Sequence, residues 1–323
     1  MKASTTHSAQ HSLQRLGQWL TVMGYRFVTV TPLTHQRVLA RPHVPEASDL
    51  RDAFGWNRPF PKDQLPPDLS TALLDDGWLQ SAPNGLLQSN VRFSSLDGFL
   101  FAHSAFPTAQ EDAVFFGPDT YRFASFIRHQ LRMQPQPESP RIADVGCGAG
   151  PGGLVAARAW QAQPNGCEIV LVDINPSALL HAKANAAVAG YPYAQCVQSD
   201  LFSEVAGRFD LIVSNPPYLV DDANRTYRHG GGQFGEALSE RILKESLDRL
   251  TPTGRLLLYT GSTIVEGRGA LRDSVVAYAA AHDCAVHYEE LDPDVFGEEL
   301  EGPAYAKADR IAAVGVVVQR RAA

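Results

Sequence analysis

Near the middle of the chain, Asn215-Pro216-Pro217-Tyr218 combines a polar amide, two rigid rings and an aromatic side chain. The Asn215 side-chain oxygen and the Pro216 carbonyl are two hydrogen-bond acceptors, matched to the two N–H groups of a planar amide or exocyclic amine. Such a nitrogen is a poor nucleophile, because its lone pair is delocalised into the adjacent π system. Two acceptors would fix its orientation and return electron density as it forms a new bond, and alignment of this kind supplies much of a rate. The prolines stiffen the corner and withhold competing N–H donors. Tyr218 would offer a flat face for a planar group to stack on. In isolation, Asn-Pro-Pro also reads as a plain turn.

Three acids recur at the ends of apolar runs. RIADVGCGAGPGG (Arg141–Gly153) is a short apolar segment that carries Asp144 and breaks into glycines around Cys147. A buried strand ends this way when the chain must turn sharply and bring bare backbone to a ligand. IVLVDINPSAL (Ile169–Leu179) ends its run on Asp173, followed by Ile174, and an acid there can accept from the two hydroxyls of a ribose. QSDLF holds Asp200 and Leu201 after a further run. The GCGAG spacing differs from the GxGxxG of a pyrophosphate site, which disfavours an oxidoreductase.

These residues need a scaffold, and the pattern supplies one. From Arg141, strands are expected near 141–146, 168–174, 194–199, 209–214 and 255–261, with helices near 151–163, 176–189, 237–250 and 266–282. Alternation of this kind predicts a parallel sheet covered on both faces, since each crossover needs a helix's worth of chain. Two last strands, about 284–291 and 310–319, have no helix pattern between them. The loop joining them belongs to a run of seven acids in the thirteen residues from Glu289 to Glu301, read as a solvated loop in preference to a surface for a basic partner.

Glycine loop, acidic strand end and NPPY, in this order, resemble the class I S-adenosylmethionine (SAM)-dependent methyltransferases, and among them the HemK/PrmC-like branch that methylates glutamine amides. The resemblance implies a Rossmann-like α/β fold with a seven-stranded, mostly parallel sheet, and covers about residues 113–323. It implies SAM as cofactor, no metal, and these contacts: Gly146, Cys147, Gly148 and Gly150 along the methionine part, Asp144 toward its ammonium, Asp173 and Ile174 at the ribose, Asp200 and Leu201 at the adenine. Asn215, Pro216, Pro217 and Tyr218 would carry the catalysis, with Asn215 also meeting the cofactor. Pro118, Asp119 and Thr120 match loosely a family segment that closes over the cofactor; they also read as an ordinary capped helix. Arg228–Ile242 (RHGGGQFGEALSERI) resembles the branch's glycine-rich segment, in which Gly230, Gly231, Gly232 and Gly235 would lend a lid mobility. The chain departs from the branch at LLLYTGSTI, where many glutamine methyltransferases carry a glutamate, and in its N-terminal region, which lacks a match to their five-helix substrate domain. Three readings follow: transfer to a protein glutamine, transfer to adenine N6 or guanine N2 of RNA or DNA, or a SAM-binding scaffold without catalysis.

Composition sets the outer limits. The chain has 323 residues, enough for about two domains, and 44% hydrophobic with 20% charged residues suffices for a core. No run approaches a membrane span. The N-terminus lacks a secretory pattern, and the four cysteines are scattered without CxxC, so a reducing cytoplasm is expected. Residues 1–140 hold 12 basic and 12 acidic side chains, whereas 141–323 hold 16 and 23. The net charge of −7 therefore lies in the second half, which disfavours a phosphate backbone as partner.

Residues 1–112 read as an accessory, substrate-recognition unit, mainly helical with a hairpin, of a winged-helix-like or mixed kind. Residues 1–8 are expected to be a tail. Leu13, Leu16, Leu20 and Met23 share one side of a helix over about 9–23, stopped near Gly24. Short helices follow near 33–40, 48–55 and 67–76, then extended runs near 89–95 and 99–105 around Asp97-Gly98.

Overall fold

The computed structural model describes residues 3–41, 46–108, 110–132, 137–161, 166–220, 228–232 and 234–321. In the first part, α1 (Ala3–Val22), α2 (Pro32–Leu39), α3 (Leu50–Phe54) and α4 (Pro67–Asp75) precede two hairpins. These are β1 (Leu79–Ser81) with β2 (Leu87–Ser89), and β3 (Val91–Leu96) with β4 (Phe99–Ser104). The expected tail is instead helical from Ala3, and Met1 and Lys2 lie outside the described residues. The Trp78 indole N–H donates to the Ala9 carbonyl at 2.7 Å and pins that end of α1. Leu13, Leu16 and Leu20 are fully buried, but Met23 is 56% exposed: α1 ends before it, and Gly24 turns left-handed with φ +68°. The first hairpin escaped the sequence reading because its strands span only three residues each.

A helix α5 (Pro118–Leu131) leads into the second part. It continues as β5 (Arg141–Val145), α6 (Pro151–Ala159), β6 (Glu168–Asp173), α7 (Pro176–Val188), β7 (Gln195–Gln198), β8 (Phe209–Ser214), α8 (Ala237–Arg249), β9 (Leu250–Val265), β10 (Arg268–Gly269), α9 (Ala270–Ala281), β11 (Cys284–Asp292) and β12 (Arg310–Arg320). The strands form one sheet in the order β11-β12-β9-β8-β5-β6-β7, with the short β10 against β9. The β7-β6-β5-β8-β9 pairings are parallel, whereas β12 runs antiparallel to both neighbours. This is the class I methyltransferase order, with helices on both faces. One expected boundary moves: residues 266–269 are not helix but the turn and return strand of a hairpin. Glu266 and Gly267 both have positive φ, the requirement of a two-residue turn that matches strand twist.

Alternation along each strand divides the core. Ile142, Leu171, Leu211, Val213 and Leu257 pack under α5, α6 and α7, while Ala143, Val145, Val170, Ile212 and Leu256 pack under α8 and α9. Each such Leu, Ile or Val, fully buried, contributes about 1.5–3 kcal/mol. The N-terminal part has its own cluster around Leu13, Leu16, Phe54, Phe60 and Phe93, which reaches Ala184 on α7. Phe101, Val114 and Phe116 join the α5-side core instead. Asn185 of α7 fastens the two parts: its amide accepts from Ala102 N at 2.8 Å, and donates to Ala102 O at 3.0 Å and to Ala149 O at 2.9 Å. Ala149 belongs to the glycine loop, so one buried amide joins β4 to the turn after β5.

Candidate active site

The first strands to meet, β5 and β6, deliver the glycine turn and the acid beside it. Gly146, Gly148 and Gly150 have φ of +68°, +52° and +85°, conformations that cost an L-residue about 1–2 kcal/mol. A Cβ added at Gly146 or Gly148 would meet nothing, so backbone angle and not crowding demands glycine there. Both border a cavity of about 410 Å³, with Cys147, Asp144, Thr120, Asp173, Ile174, Asp200, Leu201 and Asn215 also in its wall. Gly150 does not line it. It is the N-cap of α6, and a Cβ there would press on Leu171 and Ala182.

The three acids differ in environment. Asp144 is 1% exposed and accepts from Gly153 N at 2.8 Å. Burial pushes its pKa up to about 7, against the pull of the Gly153 and Gly152 N–H groups. A Cβ on Gly152 would fall 2.8 Å from its Oδ1, so the second glycine pair of GAGPGG lets the start of α6 close on this carboxylate. Asp173 accepts from Gly148 N at 2.8 Å and Asn175 N at 2.9 Å; burial raises its pKa as well. Each oxygen keeps a lone pair for a hydroxyl. Asp200 stands at the rim, 56% exposed, in an ion pair with Arg241 at 3.2 Å. It stays in the wall of this cavity with Leu201, where the resemblance sets the adenine. Ile174 is 54% exposed at the same cavity and presents an apolar contact for a ring.

At the end of β8, Asn215 and Pro217 line this cavity and also a second one of about 340 Å³. Pro216 and Tyr218 border only the second. Its other walls come from Thr31 and Pro32 of the N-terminal part, from Asp119 and Arg122 of α5, and from Val295 and Phe296. The acidic loop, expected to be solvated, thus contributes cavity wall, including Asp294 and Glu298.

Tyr218 departs most from expectation. It is 7% exposed, and its hydroxyl donates to Asp119 Oδ2 at 2.5 Å. Asp119 also accepts from the Tyr259 hydroxyl at 3.1 Å and pairs with Arg122 at 3.1 Å. Burial raises the Asp119 pKa, and the two phenols and the guanidinium oppose that rise. The Tyr218 ring lies against Gly261, where an added Cβ would fall 2.2 Å from Cδ2. One face of the ring is therefore covered by β9 backbone, and Tyr218 serves the corner as an anchor more than as an open platform. Tyr259 stands in LLLYTG, the stretch in which the chain departs from the resembled branch. Thr120 caps α5 by accepting from Gly117 N at 3.2 Å and reaches the first cavity.

The described part of the glycine-rich segment lies against the corner. Gly230 N donates to Leu219 O at 2.9 Å, and a Cβ on Gly235 would fall 2.3 Å from Tyr218 O. Residues 221–227 and 233 of this stretch lie outside the described residues. Among the described residues, no cluster of three His, Cys, Asp or Glu could hold a metal ion, and no helix is long and apolar enough to cross a membrane.

Residues 124–280 match the family model of the methyltransferase small domain. The release factor glutamine methyltransferase of Deinococcus radiodurans is 32% identical over 151 residues, 44% of this chain and 51% of that protein. The tRNA1(Val) (adenine(37)-N6)-methyltransferase of Aeromonas hydrophila is 31% identical over 157 residues, 46% of this chain and 60% of that protein. Ribosomal RNA small subunit methyltransferase C of Pasteurella multocida is 36% identical over 126 residues, 39% of this chain and 34% of that protein. The chain thus spans about a third to three fifths of the relatives' lengths. Residues 124–280 thus match the methyltransferase small domain, and the strand order is that of a class I methyltransferase fold.

Proposed function

We propose that the chain is a SAM-dependent N-methyltransferase whose acceptor is a planar amide nitrogen, the side chain of a protein glutamine. The observation that carries this reading is the position of Asn215 and Pro217 in the walls of two cavities, one bordered by Asp144, Asp173 and bare glycine backbone, the other by Pro216, Tyr218, Val295 and Phe296 together with the charged Asp119 and Arg122. The donor set of the first fits SAM: Asp144 and Asp173 face a cationic ligand bearing hydroxyls, with open glycine backbone between them and Ile174 beside them. Bound there, SAM supplies an electrophilic methyl group on a cationic sulfur.

In the second cavity Asn215 Oδ1 and the Pro216 carbonyl accept the two N–H bonds of the acceptor and turn its lone pair toward the first cavity. Asn215 Oδ1 and the Pro216 carbonyl would hold that nitrogen for the methyl group a bound SAM would supply, and the proton it gives up would leave to water. Asp119, Tyr259 and Gly261 hold the corner through Tyr218, so orientation needs no rearrangement at the moment of transfer. Thr31 and Pro32 give residues 1–112 a part in acceptor recognition.

Electrostatics favour protein over RNA. Arg122 pairs with Asp119 and Asp292, and Arg228 with Glu299, so the guanidinium groups at the second cavity already meet carboxylates of the chain. Transfer to adenine N6 or guanine N2 of RNA is the second reading, favoured by the two RNA-directed relatives. Tritiated SAM and the protein and RNA fractions of cells lacking this enzyme separate the two. Label should enter protein and be recovered as methylated glutamine; label confined to RNA contradicts the glutamine assignment.

A further inference from the structure

We infer that Phe296 is the face on which the acceptor's planar group lies, an assignment that rests on the methyl-transfer reading above. The chain needs such a face, because an amide or a base held only by two in-plane hydrogen bonds can still rock about the line joining them. Tyr218 is poorly suited to supply it: one side of its ring lies on Gly261, its hydroxyl is tied to Asp119, and little of it is exposed. Phe296 is half-buried, lines the same cavity as Asn215 and Pro216, and stands 5.9 Å from the Tyr218 ring at 63°.

Its backbone gives a second, independent reason. Phe296 is left-handed, with φ 56° and ψ 41°, where a bulky side chain costs on the order of 1–3 kcal/mol. The next residue is Gly297, which would adopt that conformation without strain, yet the strained position holds the aromatic. The neighbours hold it there. Val295 is buried and donates its N–H to Ile311 O at 2.8 Å, and Glu299 N donates to Phe296 O at 2.8 Å. So held, Phe296 lines the cavity beside the Tyr218 ring.

The test compares Phe296→Leu with Phe296→Tyr in the full chain. Three quantities are measured for each: S-adenosylhomocysteine affinity by calorimetry, thermal midpoint, and initial rate of tritium transfer from SAM into protein of cells lacking the enzyme. Loss of the aromatic face should lower the Leu variant's rate at limiting acceptor about tenfold, the equivalent of roughly one stacking contact. Its S-adenosylhomocysteine affinity should stay that of the wild type, and the Tyr variant should recover the rate. A Leu variant as fast as wild type overturns the assignment, and so does one whose rate and cofactor-product affinity fall together. Label that enters RNA instead of protein sinks the glutamine reading alone, and the same Leu-to-Tyr contrast then judges Phe296 on the RNA rate. A wild-type chain that labels neither fraction removes the methyl-transfer reading and this inference with it.

Discussion

Asp144 shows how much of the site is decided within one side chain. It is excluded from solvent at the end of β5 and titrates at about 7, driven there by burial. An ammonium favours the charged carboxylate, so ligand binding should strengthen as pH rises through that value. Below it, affinity for S-adenosylhomocysteine should weaken up to about tenfold per pH unit. For stability the sign is opposite. The folded-state pKa lies above the ordinary carboxylate value of 3.8, so the folded chain retains a proton that the unfolded chain has lost, and stability falls as pH rises from about 4 to 7. Calorimetric titration from pH 6 to 8 tests the first effect, and Asp144→Asn should flatten the profile while weakening binding. A wild-type profile already flat over this range would contradict an ammonium contact at Asp144. The acid was singled out in the sequence only together with the glycine turn and the two later acids, since alone such a carboxylate is more often a plain strand-end or capping residue. Its burial was not, because that depends on Gly152 admitting the start of α6.

Among the elements, the contact of β9 with the β8 corner is the one that fixes the geometry of transfer. Backbone at Gly261 lies flush against the Tyr218 ring, and Tyr259 two residues earlier joins Tyr218 on Asp119. Gly261→Ala should push the ring off its seat, since a Cβ 2.2 Å from Cδ2 cannot be accommodated. The expected result is a fall in methyl transfer of about tenfold or more, the scale of 1.4 kcal/mol, with S-adenosylhomocysteine affinity retained. Equal losses of both would mean that β9 supports the first cavity instead. The strands and most helices were legible from periodicity, because a sheet covered on both faces requires apolar runs separated by helices. The β9–β10 hairpin was not: Glu266-Gly267 looks like the start of a helix until both residues are seen at positive φ. Nor was the Asp119 cluster legible, since its partners are 99 and 140 residues away along the chain.

For the whole molecule, the first cavity is walled by the strand ends of the sheet with the segment leading into α5 and with α8, while the second also draws on the N-terminal part and the loop after β11. Thr31 and Pro32 come from the N-terminal part, and Val295 and Phe296 from the loop between β11 and β12. Nothing local in either segment marks it as a cavity wall, and the run of acids in the loop argued for solvent. The N-terminal part is also joined to the glycine loop through Asn185. What the account requires is that the two cavities meet at Asn215 with the reacting sulfur between them. A crystal structure of the chain with S-adenosylhomocysteine tests this most directly. The account predicts ribose hydroxyls on Asp173 and the sulfur turned toward Asn215; a ligand bound elsewhere, or a sulfur facing away from Asn215, would contradict it.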